Sequence, residues 1–469
     1  MQILYHFSNA QQDKRFRYGQ LRKELPYFIY ESYHIKVTDI GLEVVYHFNL
    51  GGRHHFYPSF TFPKRDFYNL GKDEEIMADA SLQNLVFHIG MVELISYWKA
   101  ACPQQVIIKP FVLLADQIAW WKEVYFQGLG EFFYLNSIEP DKHSFMQIEC
   151  AGAMPTEPFD ISLDNKLIIP VGGGKDSVVT IGLLSHHFDT LALIMNPRGA
   201  SLLTAETAGF TRESIIEINR TIDPLLLELN KQDFLNGHTP FSALLAFQCL
   251  LAAWLTGRRH IALSNESSAN EATVEDTQIN HQYSKSITFE ADFRWYVARY
   301  ISPAFNYFSF LRPLNELQIG KLFAGFPAYF DVFKSCNVGS KTDIWCGHCP
   351  KCLFAFIILS PFISRDRLLD IFGKDMFAEE ALWPFLRQLS GLDEIKPFEC
   401  VGTVDEVNFA LQIILAGRGQ EALPALLRRY AESISLAHNQ PGLLHNLLNE
   451  FNEEHFLKDD FLSILKKAI

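Results

Sequence analysis

The sequence lacks the features that would place the protein in a membrane, outside the cell or on a nucleic acid. Its first 16 residues contain no continuous apolar segment of the kind found in signal peptides, so we expect a cytoplasmic protein. The best candidate for a membrane span, Phe241–Leu255, contains Ser242 and Gln248 and is shorter than the roughly 20 residues needed, so we expect a buried helix and no membrane insertion. Basic residues are also few: 41 lysines and arginines against 54 aspartates and glutamates give a net charge of −13, which argues against a nucleic-acid partner.

A glycine-rich segment near the middle of the chain predicts a phosphate-binding loop. The apolar run Leu167–Ile169 predicts a buried strand, and Val178–Leu184 predicts a helix, with Gly172–Gly174 and Lys175 between them. Glycines let backbone N–H groups approach an anion because no Cβ stands in the way. The free N–H groups of the first helical turn then favour negative charge at that point.

The amino-acid sequence of this loop excludes two common phosphate-binding signatures. A Walker loop would need a glycine in place of Ile169 and a serine or threonine in place of Asp176, and a dinucleotide fingerprint would need a glycine or alanine in place of Ser177. The sequence Gly-Gly-x-Asp-Ser after a strand instead resembles the PP-loop ATP pyrophosphatases, whose usual spelling has a serine where Gly172 stands. In that superfamily the loop holds pyrophosphate while a nucleophile attacks the α-phosphate of ATP.

The segments after the loop predict a doubly wound parallel sheet, because strands and helices alternate along the chain. The predicted strands are Thr190–Met195, Ser214–Ile222 and His260–Ser264. A helix is expected after His238, with Thr239 as its N-cap and Pro240 at its first position. Ligands bind beyond the carboxyl ends of such strands, so residues that follow them should line one rim.

The resemblance to the PP-loop enzymes, together with that rim, gives an expected ATP and magnesium site. Asp176 is expected to contact Mg²⁺, and Glu266 and Glu271 could help to hold the ion. The residues expected to bind ATP are Gly172, Gly173, Gly174, Lys175, Asp176, Ser177, Asn196, Asn265 and Glu266. The polar stretch of residues 265–290 is too long and too polar for a simple turn, which is typical of an active-site loop.

The residues before the loop predict a mixed α+β domain. The segment Gly41–Leu50 and the segment of residues 54–62 predict two strands of a hairpin, joined by Gly51 and Gly52, and Pro58 suggests that the second is an edge strand. The fold class expected for the whole chain is α/β, with a PP-loop sheet, this N-terminal domain and a helical C-terminal region. The predicted domain ranges are 1–155, 156–335 and 336–469.

Four cysteines fall within 17 residues and predict a structural zinc site. The two overlapping Cys-x-x-Cys elements and a fourth cysteine upstream satisfy tetrahedral Zn²⁺ in number and chemistry. The expected ligands are Cys336, Cys346, Cys349 and Cys352, with His348 as a candidate substitute. A redox or reactive cysteine cluster is the alternative interpretation.

Six segments taken together resemble the ATP-dependent UDP-N-acetylmuramoyl-L-alanyl-L-glutamate epimerase family of bacterial cell-wall synthesis. They read GGGKDS (172–177), LNGHTPFSA (235–243), SNESSAN (264–270), NHQYSKS (280–286), WCGHCPKC (345–352) and KPFECVGT (396–403). The resemblance implies that a UDP-sugar dipeptide is the substrate, that its terminal L-Glu carboxylate is adenylated with Mg²⁺, and that D-Glu, AMP and pyrophosphate are released. It also implies a bacterial cytoplasmic enzyme whose N-terminal domain could bind the substrate.

Inversion at Cα needs a base and an acid on opposite faces of the substrate. The candidates are His281, Lys285, Cys400 and His238, and the sequence does not choose among them. Two other functions remain open. One is a ligase similar to cyano-deazaguanine synthase, which would form a new C–N bond. The other is a zinc-stabilised nucleotide-binding module without chemistry.

Overall fold

The structure is a computed structural model of the chain, which divides into two compact units. The first unit comprises Met1–Asp164, Glu217–Arg259 and Ala291–Asn306, and the second comprises Asn165–Ile216, His260–Glu290 and Tyr307–Ile469. Since the two units interleave in sequence, the three consecutive domain ranges remain a prediction. The described residues are 9–68, 77–271, 273, 279–418, 423–435 and 447–469. Parts of the predicted N-terminal domain (1–8 and 69–76), of the polar stretch (272 and 274–278) and of the predicted helical C-terminal region (419–422 and 436–446) lie outside the described residues.

The strands alternate with helices over much of the chain, so the fold is α/β as predicted. The strands are β1 (Tyr27–Thr38), β2 (Gly41–Leu50), β3 (His54–Phe56), β4 (Ser59–Pro63), β5 (Gln105–Ile108), β6 (Gln147–Cys150), β7 (Asp164–Pro170), β8 (Thr190–Met195), β9 (Ile215–Thr221), β10 (Arg258–Leu263) and β11 (Asn306–Ser309).

The helices of the first half of the chain are 4 to 16 residues long. They are α1 (Asn9–Glu24), α2 (Ala80–Glu93), α3 (Ile95–Trp98), α4 (Ala115–Gly128), α5 (Gly130–Leu135), α6 (Lys175–Leu184), α7 (Gly199–Thr207), α8 (Pro224–Lys231) and α9 (Phe241–Thr256). The later helices are α10 (Ile287–Tyr300), α11 (Glu316–Ala324), α12 (Pro350–Leu359), α13 (Arg365–Phe372), α14 (Trp383–Leu389), α15 (Val404–Arg418), α16 (Ala425–Ser435) and α17 (Asp459–Ala468).

The first unit contains a mixed group of strands. β1 pairs antiparallel with β2 and parallel with β5, which in turn pairs parallel with β6. The predicted hairpin is present: Gly51 and Gly52 have φ of +62° and +69°, and β2 pairs antiparallel with β3. Positive φ at both turn residues is what a tight hairpin with right-handed twist requires, and glycine adopts it without strain.

The edge-strand prediction at Pro58 is wrong. The predicted second strand is broken into β3 and β4, and Pro58 lies in the gap, where its carbonyl accepts a hydrogen bond from the N–H of Tyr46 at 2.9 Å. β4 pairs with both β2 and β9, so it is an inner strand. A proline outside the paired residues removes no ladder hydrogen bond, and an inner strand is therefore allowed.

The strand order around β7 is β11-β10-β7-β8-β9, and of β9 only Ile215 and Ile216 belong to the second unit. Numbered from β7, this is the order 3-2-1-4-5 of doubly wound α/β folds, with the change of direction at β7. β7 and β8 pair in parallel, as predicted. The glycine loop follows β7 and the polar segment follows β10, so both begin at the switch point where such sheets bind ligands.

Helix α9 begins one residue later than predicted, because Pro240 is its N-cap and Phe241 its first residue. It ends at Gly257, which is left-handed with φ +63° and hydrogen-bonds back to the last turn. The helix is buried over most of its length, as its apolar sequence indicates. Within the described part of the chain, every helix is too short or too polar to cross a membrane.

Candidate active site

The glycine loop makes a close backbone contact at one position and is open at another. Gly173 has φ +85°, and a Cβ there would lie 2.8 Å from the carbonyl carbon of Ala200. Its carbonyl accepts a hydrogen bond from the N–H of Lys334 at 2.9 Å. A Cβ on Gly172 would meet nothing within 4 Å. Glycine is therefore required at position 173, whereas position 172, where PP-loop enzymes carry serine, has room for a side chain.

The loop leads into the start of α6 without a capping side chain. Gly174 is the N-cap of this helix, and glycine has no side chain with which to satisfy the first-turn N–H groups. Ser177 Oγ donates to the carbonyl of Gly174 at 2.9 Å, which closes the turn. Uncapped N–H groups at a helix N-terminus are a suitable place for a phosphate.

Lys175, the first residue of α6, is buried and lies between two carboxylates. Its ammonium contacts the carboxylate of Asp176, the next residue, and that of Glu316 at the start of α11. Burial alone would lower the pKa of Lys175, but the two carboxylates outweigh it and raise the pKa. The lysine is therefore held as a cation. Burial and the charges of Asp176 and Glu266 raise the pKa of Glu316, against the effect of Lys175.

Glu406 joins the start of α11 to the start of α15. Its carboxylate accepts hydrogen bonds from the N–H of Glu316 at 2.9 Å and from the N–H of Thr403 at 2.5 Å. Thr403 Oγ1 accepts from the N–H of Glu406 at 3.1 Å, so the two residues form a capping box at the start of α15. Burial raises the pKa of Glu406 to about 7, although these hydrogen bonds oppose the shift.

Three of the four acid–base candidates are brought together in the second unit. The ammonium of Lys285 donates to the thiol sulfur of Cys400 at 3.2 Å, although the two residues are 115 positions apart. Burial raises the pKa of Cys400, but the Lys285 charge and a hydrogen bond with His281 outweigh it and lower the pKa to about 6. The Lys285 ammonium and the hydrogen bond with His281 therefore favour the thiolate form of Cys400.

The segment carrying Lys285 is attached to the segment carrying Cys400 by further contacts. Gln282 Nε2 donates to the carbonyl of Val401 at 3.2 Å. The ammonium of Lys396 contacts the carboxylate of Glu271, so this candidate magnesium ligand is engaged in an ion pair. The charges of Cys400, Glu266 and Asp176 all raise the pKa of Lys285, which burial would lower. The glycine loop and the thiolate thus share one electrostatic environment.

The remaining predicted residues lie in three places. Asn265 follows β10, and its amide donates to Ser309 Oγ at 3.0 Å. Asn196 follows β8 and is left-handed, with φ +49°. His238 belongs to the first unit, where its Nδ1 lies 3.6 Å from the carboxylate of Glu131.

The four predicted zinc ligands form one cluster. The sulfur atoms of Cys336 and Cys349 lie 3.7 Å apart, as do those of Cys346 and Cys352, and all four sulfurs lie within 4.8 Å of one another. Four sulfurs at about 2.3 Å from a tetrahedral zinc ion would be about 3.8 Å apart, so the donor set could hold zinc. A hydrogen bond with the Cys352 thiol lowers the pKa of Cys349 to about 5, against the effect of burial.

Three buried residues of the site were missed by the sequence analysis: Glu316, Glu406 and Arg312. Each lies in a helix start or turn and contacts at least one segment that is distant from it along the chain. Asn315 followed by Gln318 is a capping signal, and it could have marked the start of α11. The same signal says nothing about Glu316 contacting Lys175.

Comparison with known protein families identifies the chain. The family model described as the MurL N-terminal domain matches residues 20–310, and that of the MurL C-terminal domain matches residues 332–440. The chain belongs to the MurL family. This confirms the family resemblance that the six sequence segments gave.

Three relatives carry the same protein name, UDP-N-acetyl-alpha-D-muramoyl-L-alanyl-L-glutamate epimerase. The protein from Micromonospora sp. is 35% identical over 71% of this MurL family chain and 75% of its own length. The Xanthomonas oryzae pv. oryzae protein is 34% identical over 76% and 79%, and the Salinispora tropica protein is 33% identical over 74% and 76%. No solved structure matches the chain.

Proposed function

We propose that this MurL family member adenylates the terminal L-Glu carboxylate of UDP-MurNAc-L-Ala-L-Glu and inverts its Cα, releasing the D-Glu product, AMP and pyrophosphate. The observation that carries the proposal is the Lys285–Cys400 contact of 3.2 Å in the same unit as the glycine loop. The names of the three relatives supply the substrate and the epimerisation.

Adenylation before proton removal would make the Cα proton much easier to remove. A Cα–H beside a free carboxylate is very weakly acidic, because the carbanion would stand next to a negative charge. Attack of a carboxylate oxygen on the α-phosphate of ATP forms a C–O–P bond and breaks the α–β phosphate linkage, with pyrophosphate as the leaving group. The resulting mixed anhydride has lost the carboxylate charge, so its Cα proton is far more acidic.

The glycine loop is suited to hold the departing pyrophosphate. The uncapped first turn of α6 offers backbone N–H donors beside the open position at Gly172. The ammonium of Lys175 is kept charged by Asp176 and Glu316, and it could stabilise negative charge that develops on the leaving group. Asp176 is the residue that would hold Mg²⁺, and when bound this ion would neutralise charge on the phosphate oxygens.

Cys400 is the base that the geometry supports best. It is the candidate whose thiolate is stabilised at neutral pH by a cation, and a thiolate can take the Cα proton without first losing its own. His281, Lys285 and His238 remain candidates for the acid that returns a proton to the opposite face. Hydrolysis of the mixed anhydride then releases AMP and the free D-Glu carboxylate.

The cysteine cluster is proposed to hold structural zinc. The thiolates of Cys336, Cys346, Cys349 and Cys352 would be its ligands, and zinc when bound would supply the positive charge that keeps them deprotonated. The cluster supplies all four ligands from protein side chains, which is typical of a structural site and not of a catalytic one.

The test is incubation with ATP, Mg²⁺ and UDP-MurNAc-L-Ala-L-Glu, followed by nucleotide analysis and a chirality assay of the glutamate. AMP, pyrophosphate and D-Glu, all dependent on the dipeptide substrate, are expected. The matched control is the same substrate with its terminal α-carboxylate converted to an amide, which should give no AMP. ADP formation would contradict adenylation, and AMP without D-Glu would contradict the epimerase assignment.

A further inference from the structure

Arg312 is the most deeply buried cation of the second unit that the proposed chemistry does not use. Its side chain is fully buried, and it follows β11 in a short turn. Its guanidinium lies 3.2 Å from the carboxylate of Glu290, which is also buried. Burying such a pair costs desolvation energy for both charges, so a buried ion pair is weak evidence for a stabilising role.

The other partners of Arg312 are main-chain carbonyls of the candidate active site. Nη1 donates to the carbonyl of Glu266 at 2.6 Å, and Nη2 donates to the carbonyl of Lys285. Nη2 also lies 3.3 Å from Ser309 Oγ, and that hydroxyl in turn accepts from the amide of Asn265. One planar guanidinium therefore joins the segment that follows β10 to the turn that carries Lys285.

Glu290 fixes the direction of that guanidinium. One of its carboxylate oxygens accepts from Arg312, and the other accepts from the N–H of Ser309 at 2.9 Å. The backbone of β11, the carboxylate and the guanidinium are thus held in one arrangement. A fork of donors in fixed geometry is what arginine provides and lysine does not.

We propose that Arg312 is a positioning residue: by holding the main chain at Glu266 and Lys285, it keeps the Lys285 ammonium against the thiol of Cys400. The catalytic meaning of this contact rests on the proposed function, whereas the contact itself does not. Without Arg312, the carbonyl of Lys285 loses a charged donor and the turn is free to move. The Lys285 side chain would then lie farther from the thiol on average, and the thiolate would be less stabilised.

The reactivity of Cys400 reports this positioning directly. The groups that act on the thiol are Lys285 and His281, with Lys351 from the cysteine-rich segment and Glu399 beside Cys400 in the chain. All four are retained when Arg312 is replaced. Since Arg312→Lys also keeps the positive charge at position 312, a change in the pH at which Cys400 becomes reactive in that variant reports a displacement of one of these groups.

The experiment measures alkylation of Cys400 by iodoacetamide as a function of pH, read from the Cys400 peptide by mass spectrometry. The midpoint should lie near pH 6 in the full-length protein. Arg312→Met, which keeps the bulk and removes the donors, should raise the midpoint by about one pH unit or more. Arg312→Lys should give an intermediate midpoint, because one ammonium replaces part of the fork.

The matched control is Arg220→Lys. Arg220 forms a buried ion pair with Glu93 in the first unit, with contacts of 2.8 and 2.7 Å, so its substitution tests the general effect of disturbing a buried arginine. Its midpoint should be unchanged even if the melting temperature falls.

Three results would overturn the positioning role. The first is an unchanged midpoint of Cys400 alkylation in soluble Arg312→Met. The second, if the methionine variant does not fold, is an unchanged midpoint in Arg312→Lys. The third is a midpoint shift in Arg220→Lys equal to that of the Arg312 variant. The assay uses no substrate, so its outcome is separate from that of the proposed function. A shifted midpoint in a protein that makes no D-Glu would retain the positioning and reject the epimerase.

Discussion

Two lysines of the second unit show different ways of holding a cation in a protein interior. Lys175 lies between the carboxylates of Asp176 and Glu316, while Lys285 lies against the thiol of Cys400. In both cases burial alone would lower the pKa of the lysine, and its neighbours raise it instead. The cation is the same, so the difference between the two sites lies in the anion.

The difference in the anion assigns different roles to the two lysines. Lys175 is held as a cation by two carboxylates at once, which suits a group that must stabilise phosphate charge. The partner of Lys285 is a single thiol with a pKa lowered to about 6, so it can exchange a proton near neutral pH. A fixed charge suits the adenylation step, and a titrating anion suits the proton transfer.

The cysteine cluster differs from both lysine sites, because the neighbours of its sulfur atoms are other cysteines. Cys349→Ser should produce the largest effect of all, since it removes one of four expected zinc ligands and metal binding contributes on the order of 10 kcal/mol to such sites. We expect insoluble or metal-free protein, measured by zinc content and melting temperature. Cys249→Ser, at a buried cysteine in helix α9, is the control. Soluble, active, zinc-free Cys349→Ser would contradict a structural metal.

Asp176→Asn tests the role of the carboxylates that hold Lys175. The variant keeps the size of the side chain and removes the carboxylate that is expected to hold Mg²⁺ and to pair with Lys175. Pyrophosphate release should fall by about 10²- to 10³-fold, because charge stabilisation at the leaving group is lost. Asp370→Asn, at an exposed carboxylate on α13, should change nothing. A variant of Asp176 with normal pyrophosphate release would remove the glycine loop from the mechanism.

Cys400→Ser tests the role of the thiol that Lys285 contacts. A serine hydroxyl does not ionise near neutral pH, so D-Glu formation should fall by about 10²- to 10⁴-fold. AMP formation should fall far less, since the thiol is not needed to activate the carboxylate. The two products are measured in one reaction, by nucleotide analysis and by chirality of the glutamate. Equal losses of AMP and D-Glu would mean that Cys400 supports adenylation and is not a specific base.

The sequence predicted the site around Lys175 much better than the site around Lys285. The strand, the glycine loop and helix α6 are local in sequence, and the boundaries of β8 match the predicted segment residue for residue. Gly173 is required by its own φ and by one close neighbour. Such features depend on short-range sterics and apolar periodicity, and both can be read from a single segment.

The site around Lys285 depends on contacts between segments that are distant in sequence. The sequence supplied Lys285 and Cys400 as separate candidates, but nothing in either segment specifies the 3.2 Å contact across 115 residues. Arg312 and Glu316 carry no motif, and they act through main-chain carbonyls and a buried ion pair. The edge-strand prediction at Pro58 failed for the same reason. The pairing of β4 with β9 joins residues about 160 positions apart, and neither segment specifies it.

The last expected effect is a pH dependence of stability that separates two cysteines. The pKa of Cys400 is lowered to about 6 in the folded protein, whereas a free cysteine in the unfolded chain has a pKa of about 8.5. The thiolate therefore stabilises the folded state fully above the unfolded pKa, and this contribution is lost as the pH falls through 6. The difference in unfolding free energy between the unmodified protein and Cys400→Ser should rise by up to about 1.4 kcal/mol per pH unit between those values.

Cys150→Ser provides the contrast, because burial raises the pKa of the Cys150 thiol. That thiol stays protonated in both states below the unfolded pKa, so its substitution should give a difference that is flat over the same interval. Denaturant unfolding at several pH values measures both differences, and effects common to all variants cancel. A flat difference for Cys400 as well would mean that the Lys285 ammonium does not stabilise a thiolate. The distinction between a fixed and a titrating partner of the two lysines would then be lost.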